Sequence, residues 1–78
     1  MCYEINRLEL NEHGDVIRRT RLQPLYELRD HAMQIAEFEA GHCWGEYDYD
    51  TERDCWWATD ERGRRFRFEV EAVMELAA

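Results

Sequence analysis

The sequence predicts a small α+β domain in the order ββαβββ, spanning residues 1–78 as one unit, with one main helix packed on one face of an antiparallel sheet. Three observations carry this expectation. The stretch CWWATDERGRRFRFEVE, Cys55 to Glu71, alternates apolar and polar residues on both sides of Gly63, as two paired strands do. Apolar residues between Pro24 and Gly41 recur at steps of three and four, the period of a helix. The alternating WGEYDYD that follows Gly41 supplies a further strand whose register against Cys55–Asp60 explains both of its faces.

In chain order, Tyr3–Leu10 and Val16–Leu22 predict a first hairpin around Glu12, His13 and Gly14. Leu8, Leu10 and Val16 share one parity, whereas Tyr3 and Ile5 share the other, so a β-bulge near Asn6 is expected to bring both groups inside. Pro24 suits the first turn of a helix and Gly41 its exit, with Leu25, Leu28, Ala32, Ile35 and Phe38 as the buried stripe and Glu27, Asp30, Glu37 and Glu39 toward water. A four-residue turn over Thr51–Asp54 sets Tyr49 opposite Trp56 and Tyr47 opposite Ala58. In the last hairpin Glu61, Arg62 and Gly63 form the loop, which pairs Trp57 with Arg67 and Trp56 with Phe68. Trp56, Ala58, Phe66, Phe68 and Val70 then face the core, and Trp57, Thr59, Arg65 and Arg67 face outward. The terminal EAVMELAA reads equally as a strand extension or as a helical turn packing through Val73, Met74 and Leu76.

A domain of this size buries only about 60% of its unfolded-chain surface, so most of its three Trp, four Tyr and three Phe are needed as structure. The sequence has no Ser and no Lys, which excludes a serine nucleophile, a Schiff-base lysine and a P-loop lysine. The exclusive use of Arg matches a GC-rich, bacterial codon bias. No apolar run is long enough to span a bilayer, and the N-terminus lacks the pattern of a secretion signal. Cys2, Cys43 and Cys55 are odd in number and irregularly spaced, so free thiols and a cytosolic location are expected.

No catalytic, metal or nucleotide-binding spacing emerges, and the chain is expected to be neither an enzyme nor a cofactor protein. Asp48, Asp50, Glu52 and Asp54 alternate like calcium ligands, but Arg53 stands where the loop requires glycine and Thr59 where it requires glutamate. His42 and Cys43 with Cys2, Cys55, His13 or His31 lack the paired spacing of a zinc site. Cys43 beside His42 is not a catalytic pair, because successive side chains diverge.

The expected function is therefore binding. Trp57 on the outer sheet face, flanked by Arg65 and Arg67, joins the two residue types most enriched in interface hot spots, and these three form the expected contact surface for a protein partner or a second copy. The plainer reading lays the Trp57 ring under the arginine stems, with Glu46 and Asp48 as acid partners. A rival is a nucleic-acid binder in which Arg18, Arg19 and Arg21 join Arg64, Arg65 and Arg67, provided that their strands are neighbours. The formal charge of -8 opposes both that reading and binding to an anionic membrane, and suggests as a third possibility an acidic mimic of nucleic acid.

Overall fold

In the computed structural model, which describes residues 1–74, the alternating segments become β1 (Cys2–Leu10), β2 (Val16–Tyr26), β3 (Trp44–Asp50), β4 (Cys55–Asp60) and β5 (Arg65–Val73), with α1 (Arg29–Gly41) between β2 and β3. The strands form one antiparallel sheet in the spatial order β2-β1-β5-β4-β3. The last strand closes onto the first, so the two termini of the fold meet in the middle of the sheet. β5 continues through Val73 and thereby takes up the start of EAVMELAA as strand; Leu76 lies outside the described residues.

Two turns use the same chemistry. Asn11 Oδ1 accepts the amides of His13 and Asp15, both at 2.9 Å, and Asp60 Oδ1 accepts those of Arg62 and Arg64, at 2.9 and 2.8 Å. Each turn then closes through a glycine in the left-handed region, Gly14 at φ 85° and Gly63 at φ 80°, where a side chain would be strained. The expected pairings of Trp56 with Phe68, Trp57 with Arg67, Ala58 with Phe66, Tyr47 with Ala58 and Tyr49 with Trp56 are all present.

The helix differs from expectation at its start. Pro24 does not open it but sits in β2, an edge strand whose outer side needs no amide donor, and the β1–β2 ladder shifts between Tyr3 and Ile5 around it. Leu25 is consequently a strand residue, Leu28 is the N-cap, and both are exposed. The buried stripe is Ala32, Ala36 and Ala40, with Ile35 packed beside it, while Phe38 points away. Three alanines at intervals of four bring the helix backbone close to the sheet, which bulkier residues would prevent. Against them lie Ile5, Ala58 and Phe68, joined by Trp56, Phe66, Val70, Leu22 and the Tyr3 and Tyr26 rings.

The first strand also differs. The β1–β5 ladder runs without a shift from Cys2 to Leu10, so no bulge at Asn6 reverses its parity. Ile5 faces the helix, whereas Leu8, opposite Arg67, and Leu10, opposite Arg65, lie on the outer face. The irregularities are in the edge strands instead, two in β2, around Pro24 and at Ile17, and one in β3 between Trp44 and Tyr47. No helix of the described residues is long and apolar enough to cross a membrane.

Candidate functional site

Leu8 is 2% exposed and Cys55 is fully buried, although both share the face that the helix does not cover. A flat sheet would leave such residues wet, so their burial marks this face as concave. One row crosses all five strands there: Arg19, Leu8, Arg67, Trp57 and Asp48. At one end of the face the polar groups satisfy one another. Arg21 pairs with Glu4 at 3.2 Å, Arg19 with Glu71 at 3.7 Å, and the buried Asn6 donates to both Glu4 and Glu71.

At the other end a cleft of about 440 Å³ opens. Trp57, Leu10, Arg65 and Arg67 line it together with His13 and Gly14 of the first hairpin and Asp50 and Arg53 of the β3–β4 turn. The structure thus brings the three expected contact residues, Trp57, Arg65 and Arg67, to one cavity. Trp57 is half-buried, and Arg65 is exposed with its Nη2 donating to the carbonyls of Asn11 (3.4 Å) and Glu12 (2.9 Å). The Arg67 guanidinium lies 3.4 Å from Glu69, close enough for an ion pair but not aligned as a hydrogen bond. The nitrogen in that contact is Nε itself, which is buried, so Glu69 Oε2 is its ion-pair partner even though no aligned hydrogen bond forms. Three guanidinium groups and one carboxylate line this cleft, a local reversal of the chain's overall acidity.

The Arg stripe of the rival reading is interrupted. β2 and β5 are not neighbours, since β1 lies between them and inserts Leu8 between Arg19 and Arg67. Arg19 and Arg21 are in addition engaged by glutamates.

The alternating acids after Gly45 have structural duties. Asp50 accepts the amides of Glu52 and Arg53 and the Arg53 guanidinium, and the bonds from Arg53 hold its carboxyl below the usual range. Asp54 joins Tyr49 and Arg29; the Tyr49 hydroxyl lowers the Asp54 pKa first and Arg29 adds to it, while the same bond raises that of Tyr49. Burial pushes the Cys55 thiol up to about 11, with the nearby Glu69 and Asp50 acting in the same direction. Cys43 is raised as well, by burial above all. Neither is poised as a thiolate. Among the described residues no group of three or more His, Cys, Asp or Glu is placed to hold a metal ion.

Comparison of the chain with models of protein families, with curated proteins and with solved structures finds no match. The geometry alone therefore carries the functional argument.

A second surface was not legible beforehand. Trp44 is 81% exposed, Phe38 58% and Tyr47 48%. The Phe38 and His42 rings stack at 4.1 Å between centroids, and Tyr47 lies against Gly41. Helical periodicity predicts Phe38 inside, and strand alternation predicts Tyr47 inside. The small-residue helix stripe turns the first outward, and the position of β3 at the sheet edge leaves the second half-open.

Proposed function

We propose that this domain binds a protein partner, or a second copy of itself, through the concave outer face, with Trp57, Arg65 and Arg67 at the contact. One observation carries the reading: a half-buried indole, Trp57, shares one cleft with the guanidinium groups of Arg53, Arg65 and Arg67. A partner's acidic side chain would meet guanidinium forks suited to two-pronged carboxylate recognition. The apolar floor of Trp57 and Leu10 supplies area for a side chain beside it.

Binding of nucleic acid through a continuous arginine stripe is disfavoured by the interruption at Leu8 and by the net charge. The test is affinity capture from host lysate with wild type, Trp57→Ala and Arg67→Met in parallel, the last keeping an apolar stem without the donor. A protein retained by wild type and lost from both variants supports the reading, and sedimentation of the purified chain separates a foreign partner from a second copy. Equal retention by all three overturns it. Retention of nucleic acid that falls steeply with salt would favour the rival.

A further inference from the structure

The corner where α1 meets β3 carries features that the outer-face cleft does not explain. Phe38, Gly41, His42 and Tyr47 line a shallow groove of about 380 Å³ together with Gln34 and Glu37. Trp44 follows His42 by two residues, with its indole almost wholly in water. Its backbone is at φ 69°, a left-handed conformation that a bulky side chain adopts only at a cost and that glycine accepts freely. Neither packing nor backbone geometry calls for tryptophan here. The indole is held in water and under strain, as a group used for contact rather than for folding would be.

Charge specifies the contact. Glu37 lines the groove, and the charges of Glu39 and Asp60 act on Cys43, between His42 and Trp44, with Arg7 acting in the opposite sense. Arg64, beyond Trp44's ladder partner Asp60, is already engaged by the Asp60 carboxylate at 2.6 Å. Aromatic faces are electron-rich and attract guanidinium and ammonium groups, and the exposed carboxylate of Glu37 in the groove adds to that attraction. Anionic ligands and anionic lipid surfaces are repelled by the same carboxylate.

We infer that Phe38, His42, Trp44 and Tyr47 form a second binding surface, separate from the Trp57 cleft, that takes an arginine- or lysine-bearing segment of a partner protein. The partner's cation sits over the aromatic rings, and its remaining donors reach Glu37.

The test uses the full chain, labelled with ¹⁵N, and three synthetic peptides of equal length: one with alternating Arg and Gly, one with citrulline in place of each Arg, and one with Glu in place of each Arg. Citrulline keeps the planar shape and loses the charge. The expected result is that the Arg peptide shifts amides of Phe38–Tyr47, that the citrulline peptide binds roughly tenfold more weakly, and that the Glu peptide does not bind. Trp44→Gly is expected to lose at least about fivefold in Arg-peptide affinity while its thermal midpoint does not fall below that of wild type, because glycine relieves the backbone strain. Phe38→Ser should weaken binding similarly, and Ile17→Ser, an exposed apolar residue of the opposite edge strand, should not. The inference is overturned by equal binding of the Arg and citrulline peptides, by no shift at millimolar Arg peptide, or by shifts confined to the Trp57 cleft. Self-association of the purified chain that Trp44→Gly abolishes would give the surface to a second copy and would likewise overturn it.

Discussion

Replacing Gly45 with alanine tests how tightly the edge bulge is built. A Cβ at that position would stand 2.2 Å from the Thr59 carbonyl oxygen and 2.5 Å from Thr59 Oγ1, well inside the 3.0 Å that real Cβ atoms keep. The first of these atoms is backbone, so no rotamer change clears the clash, and β3 must move away from β4 by about 1 Å. That displacement breaks the 2.9 Å bond from the Glu46 amide to Thr59 Oγ1, a loss of about 1 kcal/mol. Residual strain adds about 1–3 kcal/mol. The stiffer unfolded chain returns about 0.4–1 kcal/mol. The expected net loss is about 1–4 kcal/mol, or a fall of about 5–30 °C in thermal midpoint for a domain of this length. Urea denaturation followed by tryptophan fluorescence measures it. Thr59→Ala in the same chain should rescue little, because the carbonyl remains. Gly41→Ala is the control: its Cβ would meet only the tip of the Tyr47 ring, at 3.3 Å, and should change stability by less than about 0.5 kcal/mol. Gly45→Ala within about 0.5 kcal/mol of wild type would refute the argument that the Thr59 backbone closes this position.

Two further predictions concern the sheet faces and the turns. Trp56→Ala removes a ring packed on the core and on Tyr49, at 5.5 Å between centroids, and should cost about 3 kcal/mol or more, whereas Trp57→Ala, on the face without a helix, should cost about 1–2 kcal/mol; equal losses in urea titrations would contradict the face assignment. Asp50, Asp54 and Asp60 all have folded-state pKa values below the ordinary 3.8. For Asp60, partial desolvation acts upward and is outweighed by hydrogen bonds from Arg64 and Arg62. A depressed folded pKa gives stability that is complete above the unfolded value and is lost as pH falls through the folded one, so the urea midpoint should drop between about pH 5 and pH 3. Asp60→Asn should lower the midpoint at neutral pH and flatten that drop; a midpoint independent of pH over this range would count against the turn carboxylates.

Strand register was legible because two constraints had to agree. Only one alignment places Tyr49, Trp56 and Phe68 in one row and Asp48, Trp57 and Arg67 in the next, and both rows are in the structure. The helix was legible in existence but not in orientation. Of the expected stripe Leu25, Leu28, Ala32, Ile35 and Phe38, only Ala32 and Ile35 meet the core; Ala36 and Ala40 complete the contact with the sheet, because small side chains permit close approach. Reading hydrophobicity as a guide to burial hid the exposed Phe38. The burial of Leu8 and Cys55 was invisible for another reason: a curled sheet buries residues on both faces, and curvature is a property of five strands together rather than of any one.

The two surfaces have opposite chemistry. The cleft around Trp57 gathers three guanidinium groups, and the corner around Trp44 sets aromatic rings beside the Glu37 carboxylate. A partner that satisfied the first would carry acceptors, and one that satisfied the second would carry cations, so no simple like-charged segment fits both. Each surface also departs from what stability alone would select: Arg67 holds a buried Nε against Glu69 without an aligned hydrogen bond, and Trp44 holds an indole in water at a strained φ. Local departures of this kind in an otherwise consistent fold are where function is expected to be found. They lie on different elements, β5 for Arg67 and the start of β3 for Trp44, so substitution at one should leave binding at the other intact. Loss of both contacts on mutating either residue would mean that the two departures belong to a single extended interface.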